Sequence, residues 1–271
     1  MKFLWHNQGL EAVSEARIDP QDRGLLLGDG LFETMRLSAG KILRLQAHLA
    51  RLTAGAALLR LPLPDLAMLQ AALDQLVAAN GAAEGSLRLT LTRGAGPRGV
   101  LPPATPTPTL LITQALPAVA LLPCRVQISP WRRDGASPLS RIKHLNYLPQ
   151  ILARLEASEA GFDDALLLSG DGQHIAESSA ASLVILDGSH LVTPPLEDGA
   201  LAGIARAALL ATGQCVEKSI TPDALCASRG AWLVNSLSVR EIAQSGAYAL
   251  PRHEAWTARL TAILAQDTPQ T

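Results

Sequence analysis

Strand and helix patterns alternate along the whole sequence, and a break rich in proline divides them into two halves. Residues 86–92 alternate apolar and polar side chains as a half-buried strand does, whereas residues 67–79 carry the apolar period of a helix. Prolines crowd residues 102–108 and recur at Pro117. The pattern predicts an α/β (α+β) fold of two domains: a smaller N-terminal domain, a linker and a larger C-terminal domain, at residues 1–117, 118–123 and 124–271.

Local patterns predict the elements of each half. The apolar period predicts helices over residues 42–59, 67–79, 146–160 and 203–210. In the helix at 146–160 this period is carried by Leu148, Ile151, Leu152 and Leu155. Alternating strands with an Asp-Gly turn predict a three-strand meander over residues 165–186, and residues 130–140 are predicted to form an irregular loop.

The composition is that of a globular protein with a small-molecule partner. The 271 residues are 48% hydrophobic and 17% charged, and the formal net charge is −1. No apolar run approaches the roughly 20 residues that a membrane-spanning helix needs. Because a net charge near zero gives no attraction to nucleic acid or to an anionic membrane, we expect neither as a partner.

The N-terminus and the cysteines lead to two further expectations. The N-terminus becomes polar too early for a secretory signal, which predicts a cytoplasmic protein. Three cysteines, Cys124, Cys215 and Cys226, lie far apart in the sequence. Their spacing favours neither a zinc site nor a disulfide framework, so we expect no metal and buried thiols.

Lysine is scarce, which limits where amine chemistry can occur. The chain has only four: Lys2, Lys41, Lys143 and Lys218. A lysine that bonds covalently to a carbonyl compound must be neutral part of the time, and a partly desolvated place favours that state. Lys143 fits best because apolar residues flank it. A surface position or an ion pair is an equally open interpretation of Lys143.

Four other residues would suit a phosphorylated heteroaromatic cofactor. A carboxylate such as Glu177 can keep a pyridine nitrogen protonated, which makes the ring a stronger electron sink. Gly203 opens a predicted helix whose first N–H groups could bind phosphate, and Arg51 and Ser236 could add donors. Taken singly, a glutamate such as Glu177 is more often an ordinary charged residue ending a strand, and a glycine such as Gly203 is more often a structural helix cap than part of a phosphate site.

Seven segments in their order along the chain resemble the class IV aminotransferase family, the fold-type IV pyridoxal phosphate enzymes. The resemblance covers nearly the whole chain, and its order is more specific than any one segment. It implies two α/β domains with pyridoxal 5'-phosphate at their interface, and a homodimer. The segments are residues 22–24, 28–34, 48–52, 143–147, 177–179, 193–195 and 203–206.

The resemblance also implies roles for individual residues. Lys143 corresponds to the Schiff-base lysine of the family, and Glu177 to the partner of the pyridine nitrogen. Tyr147 falls where relatives contact the cofactor, whereas Ser182 stands where the family usually has Asn. The implied phosphate-binding residues are Arg51, Ile204, Ala205 and Ser236.

Three short segments resemble one branch of the family, the 4-amino-4-deoxychorismate lyases, which release pyruvate and 4-aminobenzoate in folate synthesis. They are residues 93–99, 143–146 and 235–237. We therefore expect this lyase activity, with a D-amino-acid or branched-chain amino-acid transaminase as the alternative. The resemblance implies that Arg98, Asn235 and Phe32 bind substrate, although a solvated loop position for Arg98 stays open.

Overall fold

The structure is a computed structural model, and it describes residues 1–117 and 123–267. The chain divides into two compact units: Met1–Val119 with Ile142–Asn146, and Ala120–Arg141 with Tyr147–Thr271. The segment Ile142–Asn146, which carries Lys143, therefore counts with the first unit although it lies within the predicted C-terminal domain. The limits of the two domains stay a prediction.

The first unit is an antiparallel sheet with two long helices. Its strands follow the order β2-β1-β6-β5-β3-β4. The strands are β1 (Phe3–His6), β2 (Gly9–Ala12), β3 (Gly30–Ser38), β4 (Lys41–Ile42), β5 (Gly85–Thr92) and β6 (Thr109–Ala115). The helices are α1 (Arg23–Leu27), α2 (Leu45–Leu59) and α3 (Leu66–Asn80).

Alternation along the strands gives this sheet one apolar face, which α2 and α3 cover. Leu87, Leu89 and Leu91 of β5 pack in the same core as Leu69 and Leu73 of α3. Burying such a leucine side chain contributes about 1.5–3 kcal/mol relative to leaving it in water. Phe32 of β3 lies on the opposite face of the sheet.

Helix α2 begins three residues later than predicted. Lys41–Ile42 pairs with the end of β3 as the short strand β4. Arg44 then takes a left-handed conformation, with φ 53°, which a continuous right-handed helix cannot include. Turn chemistry at this hairpin therefore overrides the apolar pattern that predicted a helix from residue 42.

The second unit is built on a mixed sheet of order β12-β11-β10-β13-β14-β7-β8-β9, with β15 paired to β14. Strand β7 pairs in parallel with β8 and β14. The first strands are β7 (Cys124–Arg133), β8 (Asp164–Ser169), β9 (Ile175–Ser178), β10 (Ser182–Asp187) and β11 (His190–Thr193). The others are β12 (Cys215–Glu217), β13 (Ala231–Val234), β14 (Val239–Ser245) and β15 (Tyr248–Ala249).

Four helices complete the second unit: α4 (Leu148–Glu159), α5 (Ile204–Leu210), α6 (Pro222–Cys226) and α7 (Glu254–Ala265). Two expectations for this unit were wrong. Strand β7 continues to Arg133 through the predicted loop, because its pairing with β8 shifts between Ile128 and Arg132 and leaves Pro130 outside the ladder. Within the described residues, β10 pairs with β11 and β13 and not with β9, so the meander is absent.

The apolar period of α4 faces outward. The helix packs on the sheet through Ala153 and Ala157, which lie against Ala165 and Leu167. Its larger apolar side chains are 41–69% exposed: Leu148, Ile151, Leu152 and Leu155. The small residues therefore form the buried face, and the leucines form an outer stripe.

No helix within residues 1–117 and 123–267 combines the length and the hydropathy that crossing a bilayer requires.

Candidate active site

Lys143 lies on a segment that extends the sheet of the first unit. The amide of Phe32 donates to the carbonyl of Lys143 at 2.9 Å, and the amide of Leu145 donates to the carbonyl of Gly30 at 3.0 Å. These two bonds attach the segment to the start of β3 as a short added strand. Lys143 is thereby held by backbone bonds, although its own segment is irregular.

Two glycines make this close approach feasible. A Cβ on Gly30 would lie 2.6 Å from the carbonyl oxygen of Leu91 and 2.8 Å from Cδ1 of Leu145. A Cβ on Gly28 would lie 2.7 Å from Oδ1 of Asn146, whose Nδ2 donates to the Gly28 carbonyl at 2.9 Å. The Gly-Asp-Gly motif is therefore needed where the lysine segment crosses the chain.

Two cations share the ring of Phe32. Nζ of Lys143 lies 4.3 Å from the ring centroid, and Cζ of Arg88 lies 3.8 Å from it. Such contacts between a cation and an aromatic face are attractive. The ring of Phe32 therefore contacts both the lysine amine and a guanidinium.

Behind Phe32, alternation along β3 turns Glu33 towards α2, where it contacts two residues. Arg51 donates from Nε to Oε1 of Glu33 at 2.8 Å and from Nη2 to Oε2 at 2.6 Å. Nδ1 of His48 lies 2.6 Å from the same Oε2. Glu33 and His48 are each only 1% exposed. The three side chains form a buried cluster, which we call the Glu33 cluster.

The ionisation of the Glu33 cluster follows from its contacts. Burial alone would raise the pKa of Glu33, but the hydrogen bonds from Arg51 and His48 outweigh it and lower that pKa. Burial lowers the pKa of His48, and the charges of Arg51 and Lys143 add to this effect against the opposing influence of Glu33. Because an ionised carboxylate can only accept, Nδ1 of a neutral His48 carries the proton.

In the second unit, Glu177 is a buried carboxylate near the end of β9. Its Oε2 accepts from the amide of Leu201 at 2.9 Å, and its Oε1 lies 3.1 Å from Nε of Arg133. Arg133 also donates to the carbonyls of Gly199 at 3.0 Å and Ser140 at 2.9 Å. Arg133 thus forms an ion pair with Glu177 and ties the loop before α5 to it.

Helix α5 begins three residues after Leu201, whose amide bonds to Glu177. Gly203 is the N-cap, and within the described residues no side chain caps this helix. A Cβ on Gly203 would lie 2.9 Å from Oγ of Ser182. Ile204 and Ala205 follow, and the first N–H groups of a helix have no partner within the helix.

The segment Asn235-Ser236 reaches the same end of this sheet. Ser182 pairs with Val234, the last residue of β13, so Asn235 and Ser236 follow directly beside Ser182. Nδ2 of Asn235 donates to the carbonyl of Ala180 at 3.3 Å. The second unit thus brings Gly203 close to Ser182, and Ser236 follows two residues after Val234, the strand partner of Ser182.

A comparison with known families identifies the chain. The family model described as amino-transferase class IV matches residues 30–244, which include Phe32, Lys143, Glu177 and Ser236. The chain belongs to the class IV aminotransferases. The family and the fold-type IV architecture predicted from the motifs are thereby confirmed.

Three relatives show what this class IV aminotransferase is similar to. A putative branched-chain-amino-acid aminotransferase of Methanocaldococcus jannaschii is 32% identical over 71% of the chain and 68% of that protein. A D-alanine aminotransferase of Listeria monocytogenes is 33% identical over 79% of the chain and 75% of that protein. The crystal structure of 4-amino-4-deoxychorismate lyase from Pseudomonas aeruginosa is 31% identical, with a TM-score of 0.83, over 96% of the chain and 97% of that structure.

Pyridoxal 5'-phosphate is the cofactor of the class IV aminotransferases, and each unit offers groups that fit it. The first unit offers the amine of Lys143 beside an aromatic ring, and the guanidinium of Arg51. The second offers the buried carboxylate of Glu177 and a glycine-opened helix start where a Cβ would intrude. Aldehyde, phosphate and ring nitrogen of the cofactor each have a chemically matched partner.

Arg98 lies in a loop that other arginines hold in place. Arg93 and Arg23 donate from their Nε atoms to Oδ2 of Asp29 at 2.8 and 2.9 Å. Arg23 also donates to the carbonyl of Gly99 at 2.9 Å. The hydrogen bonds from Arg93 and Arg23 lower the pKa of Asp29 against the effect of burial. Arg98 itself is exposed, so its proposed contact with substrate stays a prediction.

Sequence reasoning missed several residues of this site. Arg88 could have been noticed from the alternation of β5, because it lies on the face opposite the buried leucines. Glu33 could have been noticed as a carboxylate in phase with the core positions of β3. Arg133 gave no signal, because its contact with Glu177 depends on the pairing of β7 with β8. Tyr147 precedes α4 in the second unit.

Proposed function

We propose that the chain is a 4-amino-4-deoxychorismate lyase that releases pyruvate and 4-aminobenzoate for folate biosynthesis, and that it acts in the cytoplasm as a homodimer. The observation that carries the proposal is the fixed position of Lys143, whose backbone is bonded to β3 and whose amine lies 4.3 Å from the ring centroid of Phe32. The choice of the lyase rests on residues 93–99, 143–146 and 235–237. The end-to-end match with the Pseudomonas aeruginosa lyase supports it.

Lys143 would hold the cofactor through Nζ and then act on the substrate as base and acid. When bound, pyridoxal phosphate supplies an electron sink for negative charge that develops on the substrate. The Lys143 amine removes the proton from the ring carbon that bears the amino group. The bond from the adjacent ring carbon to the ether oxygen breaks, the ring becomes aromatic, and the departing enolpyruvyl group gains a proton to become pyruvate.

Glu177 would accept a hydrogen bond from the ring nitrogen of the cofactor. Its ion pair with Arg133 and the bond from the amide of Leu201 hold the side chain in place for this contact. Tyr147 would contribute a further cofactor contact. For the phosphate we propose Arg51, the amides of Ile204 and Ala205, and the hydroxyl of Ser236.

The substrate carries two carboxylates, which need donors. Arg98 and Asn235 are proposed to bind them, since a guanidinium can take a carboxylate in a fork and an amide adds a neutral donor. Phe32 would contact the substrate ring, and the guanidinium of Arg88 contacts the same aromatic side chain.

The deciding experiment incubates the protein, reconstituted with pyridoxal phosphate, with 4-amino-4-deoxychorismate. We expect pyruvate and 4-aminobenzoate in equal amounts, and neither product from Lys143→Ala. Lys218→Ala is the matched control, because Lys218 is exposed and paired with Asp187. A protein that stays colourless with the cofactor, or equal activity of Lys143→Ala and wild type, refutes the proposal.

The alternative is a transaminase that acts on a D-amino acid or a branched-chain amino acid. It uses the same Lys143 and Glu177, and the two relatives at 32–33% identity named as aminotransferases favour it. Amino transfer from D-alanine or from leucine to 2-oxoglutarate, without release of 4-aminobenzoate from aminodeoxychorismate, would establish this activity instead.

The outer stripe of α4 supports the homodimer. Contiguous exposed apolar side chains of this kind mark protein interfaces. Leu152→Glu should therefore reduce the mass in sedimentation equilibrium from two chains towards one. Leu58→Glu is the control, because Leu58 is 43% exposed, close to the 41% of Leu152, but lies on α2. An unchanged mass for Leu152→Glu, or one chain in wild type, contradicts this proposal.

A further inference from the structure

We infer that Glu33 and His48 are positioning residues that fix the guanidinium of Arg51 for the phosphate of the cofactor. This inference rests on the proposed role of Arg51 and adds two residues that the motifs did not assign. The contacts that carry it lie wholly within the first unit: the two bonds from Arg51 to Glu33 and the short contact from His48 to the same carboxylate.

A guanidinium held by one hydrogen bond can still rotate about that bond, but one that makes two parallel hydrogen bonds to a carboxylate cannot. The guanidinium of Arg51 is planar, and Nε and Nη2 both donate to Glu33. Two of its five N–H groups are thereby committed, and the directions of the other three are fixed with them. Glu33 consequently determines where Arg51 can meet a phosphate.

His48 fixes Glu33 in turn. Its ring lies on α2 one turn before Arg51, and Nδ1 is 2.6 Å from Oε2 of Glu33. Since both His48 and Glu33 are buried, neither can exchange this contact for one with water at low cost. The carboxylate is thus held by two donors from one helix, which leaves it a single orientation.

The burial of Glu33 also argues against a chance surface ion pair. A buried carboxylate is retained at a desolvation cost, whereas an apolar side chain of similar size would suit the core beside Leu31 and Met35. The Glu33 cluster brings charged side chains of α2 and β3 into contact with this core. Arg51 is the most exposed of its three members. A polar arrangement of this kind serves orientation better than stability.

The test separates the phosphate from the rest of the cofactor. Pyridoxal has the aldehyde and ring of pyridoxal phosphate but no phosphate. The dissociation constant of the apo protein for pyridoxal, divided by its dissociation constant for pyridoxal phosphate, therefore isolates the phosphate contribution. In Glu33→Gln one arm of the fork becomes an NH₂ group facing the N–H groups of Arg51. We expect this ratio to fall roughly ten- to hundred-fold, by analogy with the affinity lost when the hydrogen-bond partner of a metal-binding side chain is removed, while pyridoxal affinity stays near wild type.

His48 provides an independent pair of variants. Asn can place its NH₂ group near the position of Nδ1, so the ratio of dissociation constants in His48→Asn should stay close to that of wild type. In His48→Leu the ratio should be lower. In an Arg51→Met background, Glu33→Gln should have no further effect on the ratio. Glu241→Gln is the matched control, because Glu241 is also a buried carboxylate paired with an arginine, Arg252, but lies on β14 of the second unit.

The outcomes distinguish the inference from the function it rests on. If Arg51→Met lowers the ratio but Glu33→Gln and His48→Leu do not, Arg51 binds the phosphate and the positioning role is wrong. If Glu33→Gln weakens both ligands by the same factor, its role is structural only. If wild type binds neither ligand at Lys143, the proposed function itself fails. Should Glu33→Gln not fold, the pair His48→Asn and His48→Leu decides.

Discussion

Replacing Gly30 by alanine tests whether the lysine segment is positioned by close contact with β3. The new Cβ would lie 2.6 Å from the backbone oxygen of Leu91, about 0.8 Å short of the 3.4 Å at which ordinary contact begins. Leu91 belongs to the paired strand β5 and cannot retreat without breaking the ladder. Overpacking of this size costs about 1–3 kcal/mol, and the entropy gain from losing glycine returns about 0.4–1 kcal/mol. We therefore expect a net loss of about 1–2 kcal/mol.

Hydrogen exchange locates this loss. The amide of Leu145, which bonds to the Gly30 carbonyl, should exchange roughly ten-fold faster in Gly30→Ala, since about 1.4 kcal/mol corresponds to a factor of ten. The affinity for pyridoxal phosphate and for pyridoxal should fall together, because the lysine rather than the phosphate is displaced. The control is Gly9→Ala, where no heavy atom of the described chain lies within 4 Å of the new Cβ. Unchanged protection of residues 142–146 in Gly30→Ala would refute this account of the Gly-Asp-Gly motif.

Three further predictions follow from charge and burial. The pKa of His48 in the folded protein lies below its ordinary 6.5, so the unfolded chain binds more protons than the folded one as pH falls below 6.5. The free energy of unfolding should therefore drop by up to about 1.4 kcal/mol per pH unit below 6.5. His48→Asn should remove this part of the pH dependence in urea titrations at pH 7.5 and 5.5. Burial raises the pKa of Cys124 to about 12 and that of Cys215 to about 11, so thiol reagents at pH 8 should label Cys226 first, and equal labelling rates would contradict this order. Arg133→Met should leave the loop at residues 199–203 more open to proteolysis, measured against Arg132→Met, and equal cleavage rates would show that Arg133 does not hold this loop.

Most helices and strands could be predicted from the sequence because the patterns that indicate them are local. Strand β5 and helix α3 appear within one residue of their predicted limits, since alternation and apolar period are properties of neighbouring residues. The motif order was likewise sufficient for the family. Partners in space were harder to predict. The lysine segment joins β3 through bonds between residues more than a hundred positions apart, and only the glycines at positions 28 and 30 hinted at it.

The apolar pattern of α4 shows why periodicity predicts a face but not its partner. A helix with one apolar stripe is expected to turn that stripe towards its own core, and Leu148, Ile151, Leu152 and Leu155 have the required spacing. Here the core beneath α4 is closed by alanines, whose short side chains let the helix approach β7 and β8 closely. The larger apolar side chains of α4 therefore do not pack in the interior of the unit. Exposing them to water is unfavourable, and in the proposed homodimer a second copy of the chain would cover them.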